Sequence, residues 1–229
     1  MNGRVKTRKD PPAETCALTG LLLGRSAREK FALDVQESLR VGESISLALI
    51  DLDEFALTNK SLGSERADQL LKAVAKKIRQ ALPESAPFAR LAGDCFMALL
   101  PRTEPEEALL ALQSVRAAVA RSPIAVGKAA LRREAHPTVS VGIATGPRDG
   151  DSFEAVLARA QSALRRAKSL GRDRVASPPD DRMVLKTSYY SQTQMERLKA
   201  LAAVTDVNES TLLREALEDL LLKYKERTR

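Results

Sequence analysis

The stretch Arg90-Leu91-Ala92-Gly93-Asp94-Cys95-Phe96 constrains the fold most. It lies between two apolar runs, Pro87-Phe88-Ala89 and Met97-Ala98-Leu99-Leu100. Apolar runs on either side of Gly-Asp predict a β-hairpin whose tip presents one carboxylate. Gly93 carries no side chain, so a phosphate and its metal ion can approach the backbone there.

The segments around this hairpin alternate in type. Arg25 to Leu39 places Phe31, Ala32, Val35 and Leu39 at helical spacing. Ile45 to Ile50 is a strand run that ends in Asp51-Leu52-Asp53, so Asp51 stands at the carboxyl end of a buried strand, where α/β folds place ligand groups. Asn59 to Gly63 reads as a loop. The next helix carries Ala67, Leu70, Leu71, Val74, Ala75 and Ile78 on its apolar face. After the hairpin, Ala108 to Ala120 is a further helix with Leu109, Leu112, Val115 and Val119 inward. Thr138 to Ile143 alternates as a strand, and Phe153 to Ala167 is a helix that leads to Lys168, Arg172 and Arg174. This order predicts an α/β (α+β) layer on one mixed, mainly antiparallel sheet.

Composition bounds the chemistry. Thirty-seven Lys and Arg against 30 Asp and Glu leave a net charge of +7, which suits a polyanionic partner. With His136 the only histidine, and Cys16 and Cys95 isolated from each other, zinc sites and histidine-based triads are not expected. No apolar run approaches the ~20 residues a bilayer requires. Residues 1–15 are a basic arm without the apolar core of a signal peptide, and a cytoplasmic location is expected.

Residues 176–182 (Ala-Ser-Pro-Pro-Asp-Asp-Arg) form a linker by composition. Beyond it, 183–229 reads as a separate module. Met183 to Tyr190 is a short strand, followed by helices over Thr193 to Thr205 and Glu209 to Lys225, with Asn208 as N-cap of the second. So short a module cannot bury a sufficient core alone. Leu198, Leu201, Val204, Leu212, Leu213, Ala216, Leu217 and Leu220 therefore call for a homodimer.

Residues 16–175 resemble a GGDEF domain, the nucleotidyl-cyclase-like fold of bacterial diguanylate cyclases. Leu18-Thr19-Gly20-Leu21, Asp51-Leu52-Asp53-Glu54-Phe55 and Ala92-Gly93-Asp94-Cys95-Phe96 carry the likeness in the family's order. The resemblance implies that Asp51 and Asp94 hold Mg2+ on GTP and that Gly93 lets the nucleotide approach. It further implies that Asn59 and Asp68 recognise guanine, and that Lys168 and Arg172 bind phosphate. Lys168 and Arg172 share one face if the helix continues through Gly171. In an active member Asp94 is catalytic.

Several positions depart from the family pattern. Ala92 replaces its first glycine and Cys95 replaces an acid. Ala56 stands where lysine is usual and Lys60 where an acid is, while Gln161 and Arg165 replace Asp and Tyr. Pro83-Glu84-Ser85-Ala86 occupies the place of the Arg-x-x-Asp inhibition motif, so no inhibitory cyclic-di-GMP site is expected.

Residues 183–229 resemble a ribbon-helix-helix domain of the Arc and CopG type, carried by Lys186 to Tyr190, Glu196 to Leu201 and Leu212 to Leu217. That resemblance implies a dimer whose paired strands enter the major groove of double-stranded DNA. Alternation turns Lys186, Ser188 and Tyr190 to the bases, and a slip of one residue exchanges the two faces. Asn208 and Ser210 would clamp a phosphate. The two resemblances imply a DNA-binding transcription regulator whose altered GGDEF domain binds a guanine nucleotide with little or no turnover. The alternative is an active diguanylate cyclase dimerised by its tail.

Overall fold

The run Ile45–Leu52 is buried at all eight positions. A strand covered on both faces belongs at the centre of a layered sheet. The computed structural model, which describes residues 14–127, 133–179, 190–205, 208–210, 212, 213, 216 and 220, places it there. In chain order the first unit contains β1 (Leu22–Leu23), α1 (Gly24–Arg40), β2 (Ile45–Leu52), α2 (Phe55–Leu62), α3 (Ser64–Ala81), β3 (Phe88–Ala92), β4 (Cys95–Pro101) and α4 (Pro105–Ala120). It continues through β5 (Ile124–Val126), β6 (Arg133–Ala135), β7 (Val139–Gly146), α5 (Phe153–Ser169) and β8 (Val175–Ala176). The main sheet runs β1-β3-β4-β2-β7-β8. Its outer pairs, β1 with β3 and β7 with β8, are parallel, and the inner pairs are antiparallel. β5 and β6 form a separate two-stranded ribbon.

Side chains alternate between the two faces of a strand, and here the alternation builds two cores. Ala48, Ile50 and Leu52 of β2 join Phe96, Ala98 and Leu100 of β4 and Val139, Val141 and Ile143 of β7 against α3 and α4. Ile45, Leu47 and Leu49 join Met97, Leu99 and Ala144 against Phe31 and Val35 of α1 and Val156, Leu157, Ala160 and Leu164 of α5. The parity of β2 carries Asp51 and Asp53 to the α1/α5 face. Across the register Asp51 stands opposite Cys95 on one side and Ser140 on the other.

Gly142 sets the distance between β7 and α5. A β-carbon at that position would lie 2.2 Å from the Leu164 backbone nitrogen and 2.3 Å from the Ala160 carbonyl oxygen. Any side chain there would push the helix away.

The segment expected as a loop, Asn59 to Gly63, is instead largely helical, because α2 runs through Leu62. Phe55 and Leu62 rest on the α3/α4 core, and Gly63, at φ +82°, ends the helix by donating its N–H to the Asn59 carbonyl. The polar composition of 58–61 reflects one turn of solvated helix. At the other end of the unit, Ala176 lies in edge strand β8 and is buried, so the sheet extends one residue into the composition-defined linker.

The chain divides into two compact units, with the boundary after Asp180. The second contains α6 (Gln192–Thr205), and residues 209, 210, 212, 213, 216 and 220 are also helical. The Leu212 N–H donates to the Asn208 carbonyl at 3.2 Å, as in the first turn of a helix that begins after Asn208. Leu201, Val204, Leu213 and Leu220 are exposed, Val204 at 85%. Tyr190, Met195, Leu198, Leu201 and Leu213 line an open apolar groove of about 470 Å³. Among the described residues no helix is long and apolar enough to cross a membrane.

Gly142→Ala is expected to destabilise the first unit by roughly 3 kcal/mol, the upper range for forcing a methyl group into a packed interior. Urea unfolding followed by circular dichroism measures this. A loss below ~0.5 kcal/mol would show that α5 does not need the bare backbone.

Candidate functional site

Asp51 is the penultimate residue of the central strand, and its carboxylate is almost covered. Lys168, in the last turn of α5, brings its Nζ within 2.6 Å of Asp51 Oδ1. Burial raises the Asp51 pKa above its ordinary value. The Lys168 hydrogen bond and charge oppose that rise, and the negative charges of Asp94 and Asp53 add to it. Cations near a helix C-terminus are favoured by the helix dipole, so Lys168 sits well where α5 ends. Ser152 caps the other end, its Oγ accepting from the Ala155 N–H at 3.3 Å.

The hairpin brings the second carboxylate. Gly93 has φ +54°, in the left-handed region that glycine adopts without strain. The Asp94 carbonyl accepts the Leu52 N–H at 3.3 Å, which ties the hairpin tip to the end of β2. Arg90 reaches back along the hairpin. Its Nε donates to the Gly93 carbonyl at 2.7 Å and a terminal guanidinium nitrogen donates to Cys16 Sγ at 2.9 Å. Cys16, although buried, has its pKa lowered from 9.0 to about 7. Burial alone would raise it, but hydrogen bonds from Thr19, Arg90 and the Leu18 backbone together outweigh that effect. Cys95 behaves oppositely. Burial, then the charges of Asp51 and Asp94, push its thiol up to about 12, so at neutral pH it is a neutral group beside two carboxylates.

Asp53 is a fastener. It accepts from Thr138 Oγ1 at 2.8 Å, Ser140 Oγ at 2.6 Å and the Asp173 N–H at 3.1 Å. These bonds lock the end of β2 to β7 and to the loop after α5. In that loop Arg172 (φ 62°) and Asp173 (φ 43°) are consecutive non-glycine residues in the left-handed region. Such backbone costs of order 1 kcal/mol per residue and persists where neighbours hold it. Here Asp53 holds one residue, and Arg116, 2.9 Å from Asp173 Oδ1, holds the same loop. Next to it opens a cavity of about 320 Å³ whose lining includes Asp53, Glu54, Thr58, His136, Thr138 and Arg172.

The structure brings Asp51, Asp94 and Lys168 together around Cys95. Arg172 does not share a helix face with Lys168. α5 stops at Ser169 and Gly171 (φ +107°) turns the chain, so Lys168 meets Asp51 while Arg172 lines the cavity. Asn59, in the last turn of α2, and Asp68, in the first half of α3, are both exposed on either side of the Gly63 turn. Of the residues expected to read DNA, Tyr190 is exposed, Asn208 starts the second tail helix and Ser210 lies in its first turn. Lys186 and Ser188 lie outside the described residues. Asp53, Arg90, Cys16 and Asp173 escaped the sequence reading, and only the second acid of Asp51-Leu52-Asp53 gave a local hint.

Two carboxylates fit a hard divalent ion that shares its remaining positions with phosphate oxygens. Among the described residues no group of three or more His, Cys, Asp or Glu gathers for a metal ion. The protonated Cys95 thiol is no ligand. The donor set thus suits magnesium brought in with a triphosphate better than a metal held by protein alone.

Residues 13–174 match the family model described as diguanylate cyclase, GGDEF domain, and residues 186–225 match the ribbon-helix-helix domain. The chain is 36% identical over 163 residues to the diguanylate cyclase DgcP of Pseudomonas aeruginosa, covering 71% of this chain and 24% of that protein. It is 35% identical over 157 residues to the cyclic di-GMP phosphodiesterase NbdA of the same organism, covering 69% and 19%. The chain thus spans about a fifth to a quarter of the length of these relatives. Among solved structures, the GGDEF domain of DgcB from Caulobacter crescentus in complex with c-di-GMP superposes with a TM-score of 0.66 at 27% identity, covering 74% of this chain and 97% of that one. The GGDEF domain of TpbB (YfiN) from Pseudomonas aeruginosa gives 0.67 at 28%, covering 74% and 98%.

A lowered thiol pKa links folding to pH. Between pH 7 and 9 the folded Cys16 is already ionised while the unfolded thiol still holds its proton, so its contribution is fully present above pH 9.0 and is lost as pH falls through about 7. The stability advantage of wild type over Cys16→Ser is therefore expected to widen as pH rises from 7 to 9. Denaturant titrations at both ends check it, and a pH-independent difference would remove the Arg90–thiolate pair from the hairpin's support.

Proposed function

We propose, from the premise that this chain belongs to the diguanylate cyclase GGDEF domain family and ends in a ribbon-helix-helix domain, that it is a dimeric DNA-binding regulator whose first domain binds a guanine nucleotide with Mg2+. The observation that carries the nucleotide half is the meeting of Asp51, Asp94 and Lys168 at the end of β2, with Arg172 in the adjoining loop. Asp51 and Asp94 would hold the magnesium ion, which when bound neutralises phosphate charge. Lys168 and Arg172 supply point charges for the phosphates, and Gly93 leaves the backbone open to them. Exposed Asn59 and Asp68 are assigned to the guanine edge, Asp68 accepting from the base N–H groups.

Turnover demands more than binding, because charge that develops in the transition state must be met by groups already in place. Cys95 offers a neutral thiol where the family has an acid, and Ala56 offers no cation at the start of α2. Ground-state contacts survive these losses better than catalysis does. A weak or absent cyclase activity follows. The second reading, an active diguanylate cyclase, draws on the preserved Asp51 and Asp94 pair.

The DNA half rests on the tail's family and on its exposed apolar residues Leu201, Val204, Leu213 and Leu220. A second copy of the tail would cover such a surface. Lys186, Ser188 and Tyr190 are assigned to base edges, and Asn208 with Ser210 to a phosphate.

Calorimetry with GTP and magnesium is expected to show binding that Asp68→Ala weakens by about tenfold or more, as one lost charge-assisted contact of ~1.5–3 kcal/mol implies. Chromatography of the same mixture is expected to show cyclic-di-GMP near background. Robust product that disappears in Asp94→Ala would replace the receptor with the enzyme. In a mobility-shift assay on the protein's own promoter region, Lys186→Ala is expected to weaken binding by about tenfold, the loss of one good base contact. Unchanged binding would take Lys186 out of the reading strand.

A further inference from the structure

Two carboxylates and one lysine share the site, and they are not equally engaged. Asp51 Oδ1 is 2.6 Å from Lys168 Nζ. Among the described residues no hydrogen bond or ion pair engages the Asp94 carboxylate, although its charge is felt at Asp51 and Cys95. A divalent ion held by Asp51 and Asp94 would therefore draw on a carboxylate that Lys168 already engages through Oδ1. An ammonium group and a divalent cation on one carboxylate repel each other strongly at such short range.

The lysine is free to move in a way the aspartate is not. Asp51 is fixed by β2, whose neighbours on both sides are fully paired. Lys168 has a flexible four-carbon stem in the last turn of α5, and its side chain is 39% exposed. The geometry points to Lys168 as an exchangeable counter-ion. It neutralises Asp51 until a divalent ion arrives together with a triphosphate, and it then passes from the carboxylate to a phosphate oxygen. This inference rests on the nucleotide-binding reading above and adds an order of events to it.

Its consequence is coupling. Metal alone competes with Lys168 for the charge of Asp51 and offers the lysine no other partner, whereas metal with triphosphate gives it a new anionic one. The two ligands therefore strengthen each other, by the same factor in each direction. Cys95 sharpens the contest. An acid at that position would add negative charge for a metal ion to use while Lys168 stayed in place. The neutral thiol leaves the lysine and the metal competing for the same charge.

The test uses the full chain and Mn2+ alone, with no nucleotide, following free Mn2+ by electron paramagnetic resonance. Lys168→Met is expected to bind Mn2+ about tenfold more tightly than wild type, the scale of one charge-assisted contact removed from Asp51. Lys168→Arg, which keeps the charge, is expected to stay near wild type, and Asp51→Asn to abolish the gain in the Lys168→Met background. Equal or weaker Mn2+ affinity in Lys168→Met, with a native circular dichroism spectrum, would overturn the exchange. Should that variant fold poorly, Lys168→Gln gives the same comparison with a side chain suited to the half-exposed position. The nucleotide reading fails separately, by an absence of magnesium–GTP heat in wild type, so the two failures are distinguishable.

Discussion

The backbone of α5 lies against the bare α-carbon of Gly142 so closely that a single added carbon would collide with two peptide groups. Much of the site depends on this contact. Because α5 sits so low on the sheet, Lys168 at its last turn is level with the end of β2 and reaches Asp51. Ser140 and Ala144 flank Gly142 on the same face of β7. Small side chains there keep the whole α5 face of that strand low, and the larger residues of Val156, Leu157 and Leu164 fill the space.

On that platform, strand parity distributes the chemistry. Asp51, Asp53, Cys95 and Ser140 all project to the α1/α5 face, which concentrates two carboxylates, a thiol and a hydroxyl where one lysine arrives. The acids then divide their tasks by partner. Asp53 is saturated by two hydroxyls and a backbone N–H, so it stiffens the site. Among the described residues Asp51 is held only by Lys168, which in the proposed site gives way to a ligand. Arg90 extends the same logic to the hairpin, joining its tip to the Cys16 segment through charge-assisted contacts. The proposed binding groups are thus supported by residues that never need to touch a ligand.

The tail follows a different physics. Its helices expose leucine and valine along surfaces that a short module cannot cover by itself. In the proposed dimer, stability and DNA recognition are linked to a second copy, which would bring two GGDEF domains into one assembly. In the proposed regulator, nucleotide occupancy acts through that linkage, since a ligand can shift an assembly only as far as it binds the two arrangements differently.

Local sequence pattern was enough for the central elements. Periodicity located α1, β2, α3, α4, β7 and α5, the Gly-Asp pair located the hairpin, and the family resemblance brought Asp51, Asp94 and Lys168 forward as one site. These features are legible because apolar periodicity and glycine conformations act over a few residues. α2 was hidden because its solvated turn resembles a loop, and the edge strands β1 and β8 because two residues carry no period. The roles of Asp53, Arg90 and Cys16 depend on partners 74 to 120 positions away, at Thr138, Asp173 and each other. Residue order alone carries the charges this protein owns and the succession of its elements. Which acid a lysine neutralises and which one is locked into the fold emerges in three dimensions, because burial and distance, not spacing along the chain, set the energy of each pair.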